Sequence, residues 1–147
     1  MIKLYIIVSL FISLVSAQIQ SGGIPKYYEQ IFINEINFIS ISNNPEVNRS
    51  FHPMVFQFGR EYDTSISVLD EAQFYIEDGV YTFILGIKSE DAYGLGFNFS
   101  EFFLTDNAKL FFYDRERTSF LGALTRINNK DTQNITTSII KGNDIII

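Results

Sequence analysis

The residues that could perform acid–base chemistry are few and lie far apart along the chain. A hydrolase of the Ser-His-Asp kind needs a histidine to accept the serine proton and an acid to orient that histidine. The only histidine is His52, which lies between Phe51 and Pro53. No serine lies in a Gly-x-Ser-x-Gly turn. We therefore interpret His52 as a loop residue with ordinary polar contacts and predict no catalytic triad.

Paired carboxylates offer a second kind of chemistry. The adjacent acidic pairs are Asp70-Glu71, Glu77-Asp78 and Glu90-Asp91. Two carboxyl groups can hydrolyse a glycosidic bond or bind calcium. Each pair lies at or near a predicted turn, however, and neighbouring strand positions point to opposite faces. This arrangement favours solvated side chains, and a hydrolase using paired acids or a surface calcium site stays as an alternative.

Neither a metal site nor a phosphate site is expected. The chain has no cysteine and a single histidine, so it lacks the ligands of disulfide frameworks and of most transition-metal sites. The glycines of Gly94-Leu95-Gly96 lie inside an alternating strand with no helix behind them, which excludes a phosphate loop. We expect these glycines to allow close approach of another chain segment. The sequence thus predicts no catalytic residue, no metal ligand and no cofactor.

An aromatic row has both a binding and a structural interpretation. Tyr93, Phe97 and Phe99 fall on one face of a predicted strand, where aromatic rings could stack on sugars. Apolar residues at a period of two more commonly form the buried face of a strand. We therefore expect this row to belong to the core, with a sugar platform as the alternative.

Strands must position all of these residues. The chain is rich in aromatic residues, with 15 Phe and 8 Tyr, which suit half-buried strand surfaces. Strands are predicted over residues 31–42, 80–87, 92–99, 108–113, 120–127, 135–140 and 144–147. In the second of these, Tyr81, Phe83, Leu85 and Ile87 share one face. Strands every ~10–12 residues are typical of sandwiches and jelly rolls, so we predict an all-β, antiparallel, sandwich- or jelly-roll-like fold.

The N-terminus has the pattern of an export signal. Lys3 precedes an apolar run, and Val15-Ser16-Ala17 has the small residues of a signal-peptidase site. We predict a signal peptide over residues 1–17, an irregular lead-in over 18–30 and a single domain over 31–147. The alternatives for the first segment are an uncleaved anchor or a core strand. Cleavage would place the protein outside the cell or in the periplasm.

Charge excludes some partners. The formal net charge is −6, whereas proteins that bind nucleic acid present a basic face to the phosphates. The same acidity argues against docking on an anionic membrane. We expect no nucleic-acid partner and no membrane association after signal cleavage.

The last strand has an unusual end. Residues 144–147 carry three isoleucines and are followed by no turn or polar tail. Such a segment is either a strand inside a sheet or the point at which a longer chain is cut. We expect the domain to be truncated at its C-terminus.

The last 70 residues resemble a known module. Residues 107–113 follow the pattern gAkLfiY, residues 121–130 follow lGafT-x-x-Nnk, and residues 137–147 follow t-x-p-i-x-Gd-x-iii. Residues 81–87 and 92–97 match a further strand pair of the same region, and looser matches are residues 20–25 and 58–60. These patterns resemble the N-terminal prodomain of secreted bacterial serine endopeptidases of the lysyl endopeptidase type. The chain departs from the family where Tyr81 replaces a tryptophan, where Asn143 precedes Asp144, and where a final glutamate is missing.

The resemblance implies a role without catalysis. In that family the protease domain follows this module, and its catalytic histidine, aspartate and serine match no position here. The expected function is that of an exported, non-catalytic prodomain that assists folding of the protease domain or restrains it, with that domain of the same precursor as its partner. The alternative is a free-standing secreted β-sandwich that binds a glycan or a protein.

Overall fold

The computed structural model describes residues 22–23, 36–41, 59 and 61–147. The predicted signal peptide over residues 1–17, His52 and most of the lead-in over residues 18–30 lie outside this part of the chain. The described residues form an all-β structure, which confirms the predicted fold class. Its strands are β1 (Phe38–Ser40), β2 (Gln73–Glu77), β3 (Val80–Ile84), β4 (Gly86–Lys88), β5 (Gly94–Leu95), β6 (Asn98–Phe99), β7 (Leu110–Asp114), β8 (Phe120–Leu124), β9 (Ile135–Thr136), β10 (Ile140–Lys141) and β11 (Asp144–Ile146). The helical elements are α1 (Val68–Glu71) and a 3-10 turn (Arg126–Asn128).

The main sheet has five strands in the order β1-β4-β11-β7-β8. Strand β11 runs antiparallel to both of its neighbours, β4 and β7. Strand β1 runs parallel to β4, with Phe38 opposite Gly86. A Cβ atom on Gly86 would lie 2.6 Å from Cδ1 of Phe38. The glycine therefore makes room for the phenylalanine ring at the parallel pair.

The predicted terminal strand is present, and it lies at the centre of the main sheet. Ile145 and Ile146 are both 0 % exposed, although neighbouring strand residues point to opposite faces. Pairing extends one residue beyond β11, because the Leu85 N–H donates to the Ile147 carbonyl at 3.0 Å and the Ile147 N–H donates to the Leu85 carbonyl at 2.8 Å. Since both of its faces are covered, β11 is a core element.

Three of the predicted strands are each divided into two. The prediction of one strand over residues 80–87 is wrong, because β3 and β4 lie in different sheets. The predicted strands over 92–99 and 135–140 likewise become β5 with β6 and β9 with β10. In each case, the halves find different partners: β5 pairs with β10, and β6 pairs with β9. The chain changes sheets at these breaks.

A cluster of aromatic rings joins the small sheets to the main sheet. Phe112 of β7 is 0 % exposed, and its ring centroid lies 5.5 Å from that of Phe97 and 6.0 Å from that of Phe99. Around it, the buried core includes Leu85, Ile87, Phe102, Leu121, Leu124, Ile135, Ile140, Ile145 and Ile147. The half-buried Phe97 and Phe99 thus pack against a core centred on the main sheet.

The expected role of Gly94 is confirmed. A Cβ atom at this position would lie 2.8 Å from the Ile140 carbonyl oxygen and 2.7 Å from Cγ2 of Ile139. Gly96 is less restricted, since the nearest atom to its Cβ would be 3.7 Å away. A side chain at Gly94 would therefore collide with β10, which pairs with β5 at this point.

Among the described residues, no helix has the length and apolar character needed to cross a membrane.

Candidate functional site

The three acidic pairs occupy separate turns and ends of elements. Asp70 and Glu71 lie in α1, Glu77 ends β2 with Asp78 in the following turn, and Glu90 and Asp91 form the turn after β4. All six side chains are exposed, which agrees with the expectation of solvated carboxylates. The described part of the chain contains no group of three or more His, Cys, Asp or Glu residues that could hold a metal ion.

Among the described residues, the best-buried carboxylate closes a hairpin. Asp114 is 5 % exposed and lies at the end of β7. Its carboxylate accepts hydrogen bonds from the Ser119 N–H at 2.6 Å and from the Thr118 hydroxyl at 2.8 Å. These contacts hold the tip between β7 and β8. The residue has a structural task, because its oxygens are engaged by the turn that it closes.

Asp144 supports the same tip from the neighbouring strand. Its Oδ2 lies 3.4 Å from Nη1 of Arg115, and its carbonyl accepts the Arg115 N–H at 3.0 Å. The Arg115 guanidinium also lies over the Phe38 ring, 5.3 Å from the ring centroid. The tip is thereby connected to both β11 and β1.

The predicted aromatic row does not form a continuous platform. Phe97 and Phe99 pack towards Phe112, as the core interpretation predicted. Tyr93 is 96 % exposed, so the prediction that it belongs to the core is wrong. The row is interrupted because β5 begins only at Gly94. Tyr93 therefore precedes the strand that was expected to hold it.

An exposed apolar surface lies instead on the hairpin of β2 and β3. The strands are joined by Asp78 and Gly79, whose φ angles are +50° and +74°. Two central residues with positive φ form the turn that matches the twist of paired strands. The pairing sets Phe74 opposite Phe83. The same register sets Ile76 opposite Tyr81. These four side chains share one side of the hairpin, which we call the aromatic face.

The aromatic face is both ordered and open. The Phe74 ring stacks on Tyr81 with centroids 5.8 Å apart and an interplanar angle of 19°. The same ring lies 4.9 Å from that of Phe83. Exposure is 49 % for Phe74, 61 % for Ile76, 66 % for Tyr81 and 41 % for Phe83. Contiguous exposed apolar groups occur at protein-interaction, membrane-binding and ligand-binding sites, which makes this face the candidate site among the described residues.

This face was not predicted from the sequence, although a signal was present. An Asp-Gly pair between two alternating runs is a strong indication of a hairpin, and Asp78-Gly79 is such a pair. Tyr81 and Phe83 were assigned to a strand face shared with Leu85 and Ile87. The structure separates them, because Leu85 and Ile87 are 1 % and 3 % exposed.

Comparisons of the chain with protein-family models, with curated proteins and with solved structures found no match.

Proposed function

We propose that this chain is the exported, non-catalytic prodomain of a secreted serine endopeptidase of the lysyl endopeptidase type. In this role it packs against the protease domain of the same precursor and assists its folding or restrains its activity. The observation that carries the proposal is where the family-like patterns lie. Residues 107–113, 121–130 and 137–147 cover most of β7 and β8 and all of β11, and these three strands are neighbours in one sheet.

The positions within these patterns support a structural module. Phe112, Leu124 and Ile145 are each 0 % exposed, so the resemblance is strongest where the core is built. A domain that works by packing on a partner needs a stable framework and a contact surface, and it needs no catalytic group. We therefore assign no catalytic role to any residue of this chain.

The proposal includes a second layer over the main sheet. Phe97 and Phe99, from the segment that forms β5 and β6, contact Phe112 of the main sheet. Two sheets that bury their inner faces against each other make a β-sandwich. We therefore propose that the small sheets and the main sheet are the layers of a sandwich or jelly roll.

The gene provides the first test. The genomic reading frame beyond the codon for Ile147 should continue into a trypsin-like domain with its own histidine, aspartate and serine. A stop codon with no protease reading frame beside it would contradict the proposal.

A refolding experiment tests the activity itself. The denatured protease domain is diluted into buffer with and without the full chain, and recovered peptidase activity is measured. The proposal expects a higher yield, or inhibition of the folded enzyme, at stoichiometric amounts. Equal yields and equal activity with and without the chain would contradict it. The control is the chain with Ile145→Ala. This substitution weakens the core of the chain, so its effect on the recovered peptidase activity should be smaller.

Export is tested separately. Expression in a bacterial secretion host should give an extracellular or periplasmic product that begins at Gln18, as measured by intact mass and N-terminal sequencing. Retention of residues 1–17 would favour the uncleaved-anchor alternative.

A second candidate is a free-standing secreted module that binds a protein. The observation that favours it is the open aromatic face on a hairpin with a well-defined register. The chain is expressed alone, in a host that lacks a linked protease domain, and its bound proteins are captured. Repeated capture of one protein that is not a protease would favour this candidate over the prodomain.

A further inference from the structure

The aromatic face is on the unexpected side of its hairpin. A sheet with one solvated face normally turns its apolar side inward. In this hairpin, the other side carries Gln73, Tyr75, Thr82 and Ile84, and these four residues are the partly buried ones. The hairpin thus rests on the protein through its more polar side and presents its aromatic side to solvent.

Packing alone does not account for this orientation. Burying Phe74, Ile76, Tyr81 and Phe83 would remove more apolar surface from water than burying the opposite side. The hairpin is also connected to the main sheet through its more polar side, since the Asn37 N–H donates to Oε1 of Gln73 at 3.0 Å. The contacts of the hairpin thus hold its aromatic face outward.

The charges near this face define the chemistry of that partner. Residues 61–87 contain six carboxylates and no lysine or arginine. Asp70 and Glu71 lie just before the start of β2, and Asp78 lies in the turn at its far end, whereas the register places Glu77 opposite Val80 on the side away from the aromatic face. Asp70, Glu71 and Asp78 are exposed. The aromatic face is therefore bordered by negative charge at both ends.

We infer that the aromatic face binds a protein surface that combines apolar side chains with lysine or arginine residues. Apolar groups of the partner would cover the rings, while its cations would meet Asp70, Glu71 and Asp78 and could lie over the exposed ring of Tyr81. The inference deepens the proposed function and rests on it for the partner's identity, which would be the protease domain.

Charge argues against a second copy as the partner. A symmetric dimer places the same patch on both sides of its interface. It would bring two sets of the same three carboxylates together, and like charges facing each other oppose association. A basic partner removes this repulsion and gains attraction.

The chemistry of the face can be tested without any protease. The isotope-labelled chain is titrated with a peptide of alternating leucine and arginine, and the matched control peptide has glutamate in place of arginine. The inference expects NMR shift changes concentrated at residues 73–84 with the basic peptide, reduced by added salt, and none with the acidic peptide. Equal responses to both peptides, or changes centred elsewhere, would overturn it.

Matched variants test the individual contacts. Tyr81→Ser should lower the affinity for the basic peptide about tenfold, because exposed aromatic residues commonly dominate such contacts. The control is Tyr93→Ser, which removes an even more exposed tyrosine outside the hairpin and should leave the affinity within about twofold. Equal affinities of these two variants would overturn the inference. NMR signals of residues 73–84 should show that the hairpin is still paired in Tyr81→Ser, because this ring stacks on Phe74 and local opening of the hairpin would not change the global unfolding temperature.

Two turn aspartates offer an equally close control. Asp78→Asn should weaken binding about threefold at low salt. Asp91→Asn should leave the affinity unchanged. The two positions are well matched, because Asp78 and Asp91 have φ angles of +50° and +62° and asparagine accepts such angles. An equal loss for both variants would indicate a general charge effect and contradict a specific site.

The surface and the proposed function can fail independently. If the isolated protease domain binds the parent chain and Tyr81→Ser equally well, the inferred surface is wrong while the function stands. If the basic peptide binds at residues 73–84 but the protease domain does not bind, the function is wrong while the surface stands. Self-association in sedimentation that is lost in Tyr81→Ser would identify a second copy as the occupant and overturn the inference.

Discussion

Two glycines two residues apart have different amounts of space around them. Gly94 faces the carbonyl oxygen of Ile140, which is backbone and cannot rotate away, whereas the surroundings of Gly96 leave ordinary van der Waals distances. The segment therefore requires a glycine at one position and tolerates a side chain at the other. This difference permits a controlled comparison, because both substitutions add a single methyl group.

Gly94→Ala should destabilise the protein. A Cβ atom 2.8 Å from the Ile140 carbonyl oxygen must push β10 away from β5, and overpacking of this kind costs about 1–3 kcal/mol. Gly96→Ala should change the free energy of unfolding by less than about 1 kcal/mol. Urea denaturation measures both values, and an equal cost for the two variants would show that β5 and β10 do not approach as described.

Asp114 is expected to contribute to stability through its two accepted hydrogen bonds. Asp114→Ala leaves the Ser119 N–H and the Thr118 hydroxyl without their acceptor, and such a loss costs about 1–3 kcal/mol. Glu116→Ala in the same tip is the control, because Glu116 is exposed. Thermal unfolding of the two variants checks this prediction. A midpoint for Asp114→Ala equal to that of the control would contradict it.

At the scale of elements, the period of two predicted which residues share a strand face better than it predicted which strands pair with each other. The alternation of residues 108–113 correctly placed Leu110 and Phe112 on one face of β7. The same reasoning over residues 80–87 joined two strands into one, because a period of two continues unchanged across the change of sheet at Leu85. Pairing depends on residues far away in sequence, such as Ile147 opposite Leu85, and no local pattern contains that information.

The candidate site was missed for a related physical reason. Alternating aromatic residues indicate one apolar strand face, and the core is its usual location. Whether that face turns inward is decided by the packing of the whole hairpin. The Asp78-Gly79 turn was readable from the sequence, but the outward direction of Tyr81 and Phe83 was not.

Strand β11 is expected to be the most sensitive element. Ile145→Ala removes a fully buried side chain from the middle of the main sheet, and such truncations cost about 2–5 kcal/mol. Ile139→Ala is a matched control, because Ile139 is 78 % exposed and its truncation should cost less than about 0.5 kcal/mol. Urea titration measures the free energy of unfolding of both variants. A cost below about 1 kcal/mol for Ile145→Ala would show that β11 is not a core strand.

At the scale of the whole molecule, framework and contact surface are separate parts. The main sheet buries both faces of β11. The hairpin of β2 and β3 is a two-stranded sheet with an open aromatic side. The buried framework and the exposed surface therefore lie on different strands.

The same division predicts two levels of local stability. An isolated two-stranded hairpin is marginally stable in water, and segments with few buried apolar contacts open without global unfolding. Amides of β2 and β3 should therefore exchange with solvent deuterium by local opening, at rates that depend little on low concentrations of urea. The reciprocal amides of Leu85 and Ile147, bonded at 3.0 and 2.8 Å, should exchange only through global unfolding and respond strongly to urea.

Native-state hydrogen exchange measures both groups of amides in one experiment. The control is Ile145→Ala, which should accelerate exchange of the Leu85 and Ile147 amides and leave exchange of the hairpin amides unchanged. If hairpin and central-strand amides exchange with the same free energy and the same urea dependence, the hairpin and the main sheet form one cooperative unit and the proposed separation is wrong.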